Sequence, residues 1–196
     1  MQLVRNYLAS RGLHPEPWPD DLRYHPSLFN FTTASRHPAM VCAVRDVTGE
    51  VMALHQTFLT PDGQKLSGDG VKARLFMGAV KGGAIRLAAA SDRLALCEGI
   101  EDALSVIQCT DWPCWATGSA GNAPDLPETI REVMLCLDAD AAGQQAAQRM
   151  AKHYSTAGLT VRIALPPRGA KDWNEALKKE KAAFAEAAQH KELLYV

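Results

Sequence analysis

The chain has 196 residues, 47% of them hydrophobic, and its 21 Lys and Arg nearly balance 22 Asp and Glu for a net charge of −1. That suffices for one large or two small domains with a core of their own. No stretch approaches the length of an apolar membrane span and no basic start precedes an apolar run, so a cytoplasmic protein with no membrane partner is expected.

The charge is unevenly spread. Residues 1–93 carry a net of +3 and residues 94–196 a net of −4, an arrangement suited to a polyanion held by cations on one side and by metal on the other. The five cysteines, Cys42, Cys97, Cys109, Cys114 and Cys136, include no C-x-x-C pair. They read as reduced core residues, and no zinc is expected.

In chain order, residues 2–12 read as a short helix stopped by Gly12. Pro15, Pro17 and Pro19 then forbid regular structure. Leu22-Arg23-Tyr24-His25-Pro26 reads as a loop anchor or a substrate contact. Two apolar-rich runs, from Met40 to Val47 and from Glu50 to Leu59, flank a turn at Thr48-Gly49 and predict a β-hairpin. Pro61-Asp62-Gly63 is a second turn. Residues 65–86 form a basic, glycine-rich, loop-like region with Lys72, Arg74, Lys81 and Arg86, where Gly78 and Gly82-Gly83 would let the backbone approach a phosphate.

From Arg93 the pattern becomes strand and helix in alternation. Arg93-Leu-Ala-Leu-Cys97 carries no polar residue after its first and reads as a strand buried on both faces. It ends in Glu98-Gly99, and Ile100, Ala103, Leu104 and Ile107 follow at helical spacing. Glu101 and Asp102 fall in the first turn of that helix, where acids favour the dipole without further role. Pro113 to Thr117 reads as a second strand running into Gly118-Ser119-Ala120-Gly121-Asn122. Val133 to Leu137 is a third, ending in Asp138-Ala139-Asp140, and Ala146, Ala147, Met150 and Tyr154 mark the next helix. Thr160 to Leu165 is a fourth, and a last helix is expected from Trp173 to about Gln189.

Each acidic stretch therefore sits at a strand's carboxyl end, the edge where open α/β sheets bind ligands. If strand geometry persists, Asp138 and Asp140 point the same way. Like charges so close cost stability unless a cation lies between them. Oxygen-only donors suit Mg²⁺ first and Mn²⁺ second, and hence phosphoryl or nucleotidyl transfer or phosphodiester cleavage. Asp140 as a plain helix cap is the alternative. Asp172 and Glu175 read as a capping box.

Glu98-Gly99 opening a helix, followed by Asp138-x-Asp140-x-x-Gly143 at the next but one strand, resembles the Toprim domain shared by bacterial-type primases, topoisomerases and some nucleases. The resemblance covers roughly Leu94 to Leu177. The hairpin, Lys72-Ala-Arg74-Leu-Phe-Met-Gly78 and the opening Tyr7-Leu-Ala-Ser-Arg-Gly12 resemble the basic subdomain of primase cores. Gly78-x-x-Lys81-Gly-Gly-Ala-x-Arg86-Leu resembles Toprim primase-like proteins of phages and plasmids.

The resemblance implies an α/β fold. A small α+β basic subdomain (1–92) would precede a Toprim domain (93–196) with a central, mostly parallel four-stranded sheet flanked by helices. It implies magnesium-dependent nucleotidyl transfer on single-stranded DNA, the RNA primer synthesis of a DNA primase catalytic core. Glu98, Asp138 and Asp140 would be catalytic, the same three with Asp172 would hold the metal, and Lys72, Arg74, Lys81, Arg86 and Lys171 would contact nucleic acid or nucleotide. Partners would be template, ribonucleoside triphosphates and a helicase or separate zinc-binding module. Asn174 stands where the family pattern has a second acid. A Toprim nuclease and a non-catalytic nucleic-acid-binding replication accessory remain alternatives.

Overall fold

The computed structural model describes residues 1–181. Val4, Tyr7 and Leu8 share one buried face of helix α1 (Gln2–Ser10). The helix is closed at Gly12, whose φ of 75° lies in the left-handed region and whose N–H donates to Ala9.

A four-stranded antiparallel sheet follows: β1 (Leu22–Asn30), β2 (Ser35–Arg45), β3 (Val51–Phe58) and β4 (Arg74–Gly78), in that order. The β2–β3 hairpin is the one its apolar runs predict. Two expectations are corrected. Leu22 to Pro26 is not a loop but the start of β1, an edge strand whose register shifts between His25 and Leu28. Pro26 sits within that irregularity, where its missing N–H breaks no ladder. The basic region 65–86 is not all loop either, because Arg74–Gly78 pairs with β3.

The second sheet has five strands in the order β5-β7-β6-β8-β9: β5 (Ile85–Arg86), β6 (Arg93–Cys97), β7 (Cys114–Ala116), β8 (Glu132–Leu135) and β9 (Thr160–Ile163). The four expected strands, β6 to β9, are parallel, and β5 adds an antiparallel edge. Residues before 92 thus contribute a strand to the second sheet. Helices α2 (Ile100–Cys109) and α3 (Ala141–Thr156) cover its faces.

Alternation along β6 explains the two apolar clusters. Ala95 and Cys97 face α1, the first sheet and α2, while Leu94 and Leu96 face α3 with Val133, Leu135 and Met150. The sheet is therefore apolar on both sides, as its uninterrupted run requires. Cys42, Cys97, Cys114 and Cys136 are buried, but Cys109, at the end of α2, is exposed and no core residue. A helix continues over 173–181, and the remainder of the expected last helix, to Gln189, lies outside the described residues. Among the described residues no helix is long and apolar enough to cross a membrane.

Gly143, in the first turn of α3, backs directly onto Asp138: a Cβ there would lie 2.3 Å from the Asp138 carbonyl oxygen. Gly143→Ala is expected to cost roughly 2 kcal/mol and about 4–8 °C of melting temperature, read by circular dichroism. At Gly121 a Cβ would meet nothing within 4 Å, and Gly121→Ala should leave the melting temperature unchanged.

Candidate active site

The parallel ladder delivers the acids to one rim. Beyond β6, Thr117 and Gly118 donate to the carbonyls of Cys97 and Glu98, and Cys136 donates to Leu96. Glu98 and Asp138 thus emerge side by side. The Ala139 N–H then donates to the Lys171 carbonyl at 2.9 Å, which ties the segment after β9 to the end of β8 and brings Asp172 in. Asp172 caps the helix over 173–181 by accepting from the Glu175 N–H at 2.7 Å. Glu175 reaches back to the Lys171 N–H at 2.7 Å, one residue further than the expected capping box.

These residues line a cleft of about 220 Å³. It is lined by Glu98, Glu101, Asp102, Asp138 and Asp172 together with Arg11, Lys65, Arg74 and Lys171, and by Gly99. A side chain on Gly99 would collide with Asp102, whose Oδ2 would lie 2.9 Å from its Cβ. Burial raises the pKa of Glu98, and the charge of Asp138 adds to it, against Arg74 and an N–H of Ala120. Burial likewise raises Asp138, with Asp172 and Asp140 adding their repulsion. Asp102 is pushed up to about 7, chiefly by burial, although its Oδ1 accepts from the Asn174 N–H at 3.0 Å.

Glu101 behaves differently. Burial alone would raise it, but the Tyr7 hydroxyl donates to its carboxylate and Arg74 and Lys65 add their charge, so its pKa falls below the ordinary value. Lys65 is lowered by its own burial and by Arg74 and Arg11, while Glu101 opposes the shift. Glu101 is buried and Asp102 lines the cleft, so neither is the surface dipole acid its first-turn position suggests.

The expectation that Asp138 and Asp140 share a strand face is corrected. Strand β8 ends at Leu135, and Asp140 is the N-cap of α3, its Oδ1 accepting from the Gly143 N–H at 2.8 Å. Asp140 stands beside the cleft rather than in its lining, near enough to repel Glu98 and Asp138. Of the expected cations, Arg74 and Lys171 line the cleft. Lys72 and Lys81 are exposed outside it. Arg86 points elsewhere: it stacks on Trp115 at 4.5 Å and donates to the Asp46 carbonyl. Sequence reading misses Arg11, Lys65, Tyr7 and the site roles of Glu101 and Asp102. Only the docking of α1 and the first sheet brings these groups together.

Among the described residues, no three His, Cys, Asp or Glu side chains converge tightly enough to enclose a bare ion. The donors nonetheless fit a hydrated hard cation. They are carboxylates alone, and Glu98 and Asp138 are half-buried, raised in pKa by burial and by neighbouring carboxylates, and open to a cleft. Magnesium characteristically binds through one or two such groups and keeps several waters.

Comparison with known proteins identifies the domain and the fold. Residues 93–183 match the family profile of the Toprim domain, and residues 1–87 match that of a domain of unknown function, DUF7146. Among curated proteins none matches the sequence significantly. The Aquifex aeolicus primase (zinc-binding and RNA polymerase domains) matches in structure with a TM-score of 0.67 at 18% identity, over 91% of this chain and 53% of that one. The primase fragment of the bacteriophage T7 primase-helicase protein gives 0.53 at 19% identity, over 74% and 59%. A DnaG primase catalytic domain bound to single-stranded DNA gives 0.54 at 20% identity, over 95% and 73%. This chain spans less than two thirds of the first two.

The raised acids set a dependence on pH. The folded state keeps a proton on Asp102 up to about pH 7, whereas the unfolded chain releases it near 3.8. Stability from this group is therefore full below the lower value and lost as pH rises through the higher. Asp102→Asn, compared with the parent in EDTA, should gain relative stability between pH 4 and pH 8, measured by urea unfolding. A constant difference across that range would refute the shift.

Proposed function

Residues 93–183 are a Toprim domain and the chain has the fold of a primase catalytic core, and from that premise we propose that it performs magnesium-dependent nucleotidyl transfer on single-stranded DNA, synthesising an RNA primer. The observation that carries this reading is one cleft lined by both carboxylates and cations. A triphosphate needs both kinds of group: cations for its oxygens, and acids that would hold a divalent metal.

Glu98, Asp138, Asp140 and Asp172 would hold Mg²⁺, with Mn²⁺ as substitute. Bound there, the ion would neutralise charge on the transferring phosphoryl group and lower the pKa of the attacking 3′-hydroxyl. Arg74, Lys65, Arg11 and Lys171 would hold the incoming ribonucleoside triphosphate, with Arg74 forking onto phosphate oxygens. Glu98, its pKa raised by burial and by Asp138, would take the hydroxyl proton or orient a water. Asp140 would keep the rim acidic while its cap fixes α3. Lys72 and Lys81 would contact template phosphates.

The DnaG catalytic domain bound to single-stranded DNA supports that choice of polymer. The Aquifex structure includes a zinc-binding domain and the T7 fragment comes from a primase-helicase. We therefore propose a helicase or a separate zinc-binding module as partner. The same cleft would serve a nuclease if water replaced the hydroxyl.

The deciding experiment incubates the chain with labelled single-stranded DNA, ribonucleotides and Mg²⁺ or Mn²⁺ and resolves the products on a gel. New ribonucleotide products support the proposal, shortened input supports a nuclease, and an unaltered strand that is merely retarded supports a binder. Asp138→Asn should lower the rate by about 10²-fold or more while the melting temperature holds or rises, because one repelling charge is gone. Undiminished synthesis by that variant would remove the site.

A further inference from the structure

The first sheet carries an aromatic patch that the cleft does not use. At the end of β1, Phe29 and Phe31 are 55% and 66% exposed, on either side of a fully buried Asn30. The Asn30 Oδ1 accepts from the Thr32 N–H at 2.9 Å and from its hydroxyl at 2.7 Å, and the Asn30 Nδ2 donates to the Lys72 carbonyl at 2.9 Å. The Lys72 N–H returns a bond to the Thr32 hydroxyl at 3.0 Å. Phe29 thus stands near the end of β1 and Phe31 in the turn that follows, which these bonds fasten to Lys72.

Strand register shows where the patch leads. Met40, Cys42 and Val44 of β2 point into the core, so Arg36, of the same parity, lies on that face beyond the core's edge. Phe29 is directly opposite Arg36. Across the sheet Met40 is opposite Thr57, and Thr57 is opposite Arg74, which lines the cleft. One face thus runs from the cleft through Arg74, with Lys72 two residues beyond, to Arg36 and Phe29.

The named charges of this face, Arg36, Lys72 and Arg74, are cations, and acids are scarce around them: no Asp or Glu occurs from Leu22 to Val44, and Asp69 is the single acid from Leu66 to Gly78. Cations interleaved with exposed rings suit a polyanion whose own rings are unpaired, which is a single strand rather than a duplex.

We propose that Phe29 and Phe31, flanked by Arg36 and Lys72, form a stacking platform for the bases of a single-stranded nucleic acid that continues along this face to the acidic cleft. The ligand class rests on the reading of the chain as an enzyme of single strands. The platform itself uses none of the cleft carboxylates.

The test is fluorescence anisotropy of a labelled oligothymidylate with the full chain in EDTA. The double variant Phe29→Ala/Phe31→Ala should bind about tenfold or more weakly, with its melting temperature and its salt dependence unchanged. Phe31→Tyr, which keeps a ring, should bind like the parent. Arg36→Gln and Lys72→Gln should each reduce the slope of log K against log salt by about 0.7. Unchanged affinity in the double variant, an equal loss on a duplex, or a parent that binds no single strand would overturn the platform. A chain that binds strands through its two phenylalanines but extends none would keep the platform and remove only the catalytic reading.

Discussion

The structure turns on the burial of like charges at one rim of a sheet. Five carboxylates share a cleft of about 220 Å³ with four cations, and the desolvation that raises Glu98, Asp102 and Asp138 also strengthens every attraction available to them. Such a cluster is tolerated because opposite charge is built into the lining of the same cleft. Arg74 acts most widely, bearing on Glu98, Glu101 and Asp138 together. The residual repulsion is what a bound cation would relieve, so the same imbalance that costs stability would supply affinity for metal.

Three of those four cations, Arg11, Lys65 and Arg74, come from the part of the chain before the parallel sheet. The site is therefore composite, and the contacts that fix the first part against the second also set its electrostatics. Strand β5 joins the second sheet, and the Asn122 side chain bonds Gly82, Gly83 and Thr117 across the junction. The Tyr7 hydroxyl reaches Glu101 from α1. These links are buried, which gives each hydrogen bond a large penalty on breaking. The two parts are one mechanical unit around the cleft.

What the sequence made legible was whatever a local pattern encodes. The uninterrupted apolar run of β6, the hairpin turn at Gly49 and the spacing of Asp138 to Gly143 all follow from neighbours a few residues apart. β1 escaped because Pro26 argues against a strand, and only the pairing with β2 shows that the proline sits at an edge irregularity. Arg11 and Lys65 escaped because each lies far in sequence from the acids whose cleft it lines, and no local pattern sets it apart from a surface cation. Glu101 was misread for a related reason. A first-turn acid is ordinarily solvated, and its burial depends on a tyrosine 94 positions away. The exchange of strand geometry for a cap at Asp140 is finer still, since a Gly three residues on serves both readings.

Asn174 shows how the packed environment selects a residue that a motif alone would not. Its Nδ2 donates to the Arg11 carbonyl at 3.0 Å and to the Ser105 hydroxyl at 3.1 Å, while its backbone N–H supports Asp102. A carboxylate in that place would set an acceptor against the Arg11 carbonyl and add a further buried negative charge beside Asp102, already pushed up to about 7. The amide instead supplies donors where the fold has acceptors. It joins α1, α2 and the helix over 173–181 behind the cleft, so this position serves to hold the acids of the rim in place rather than to add to their number.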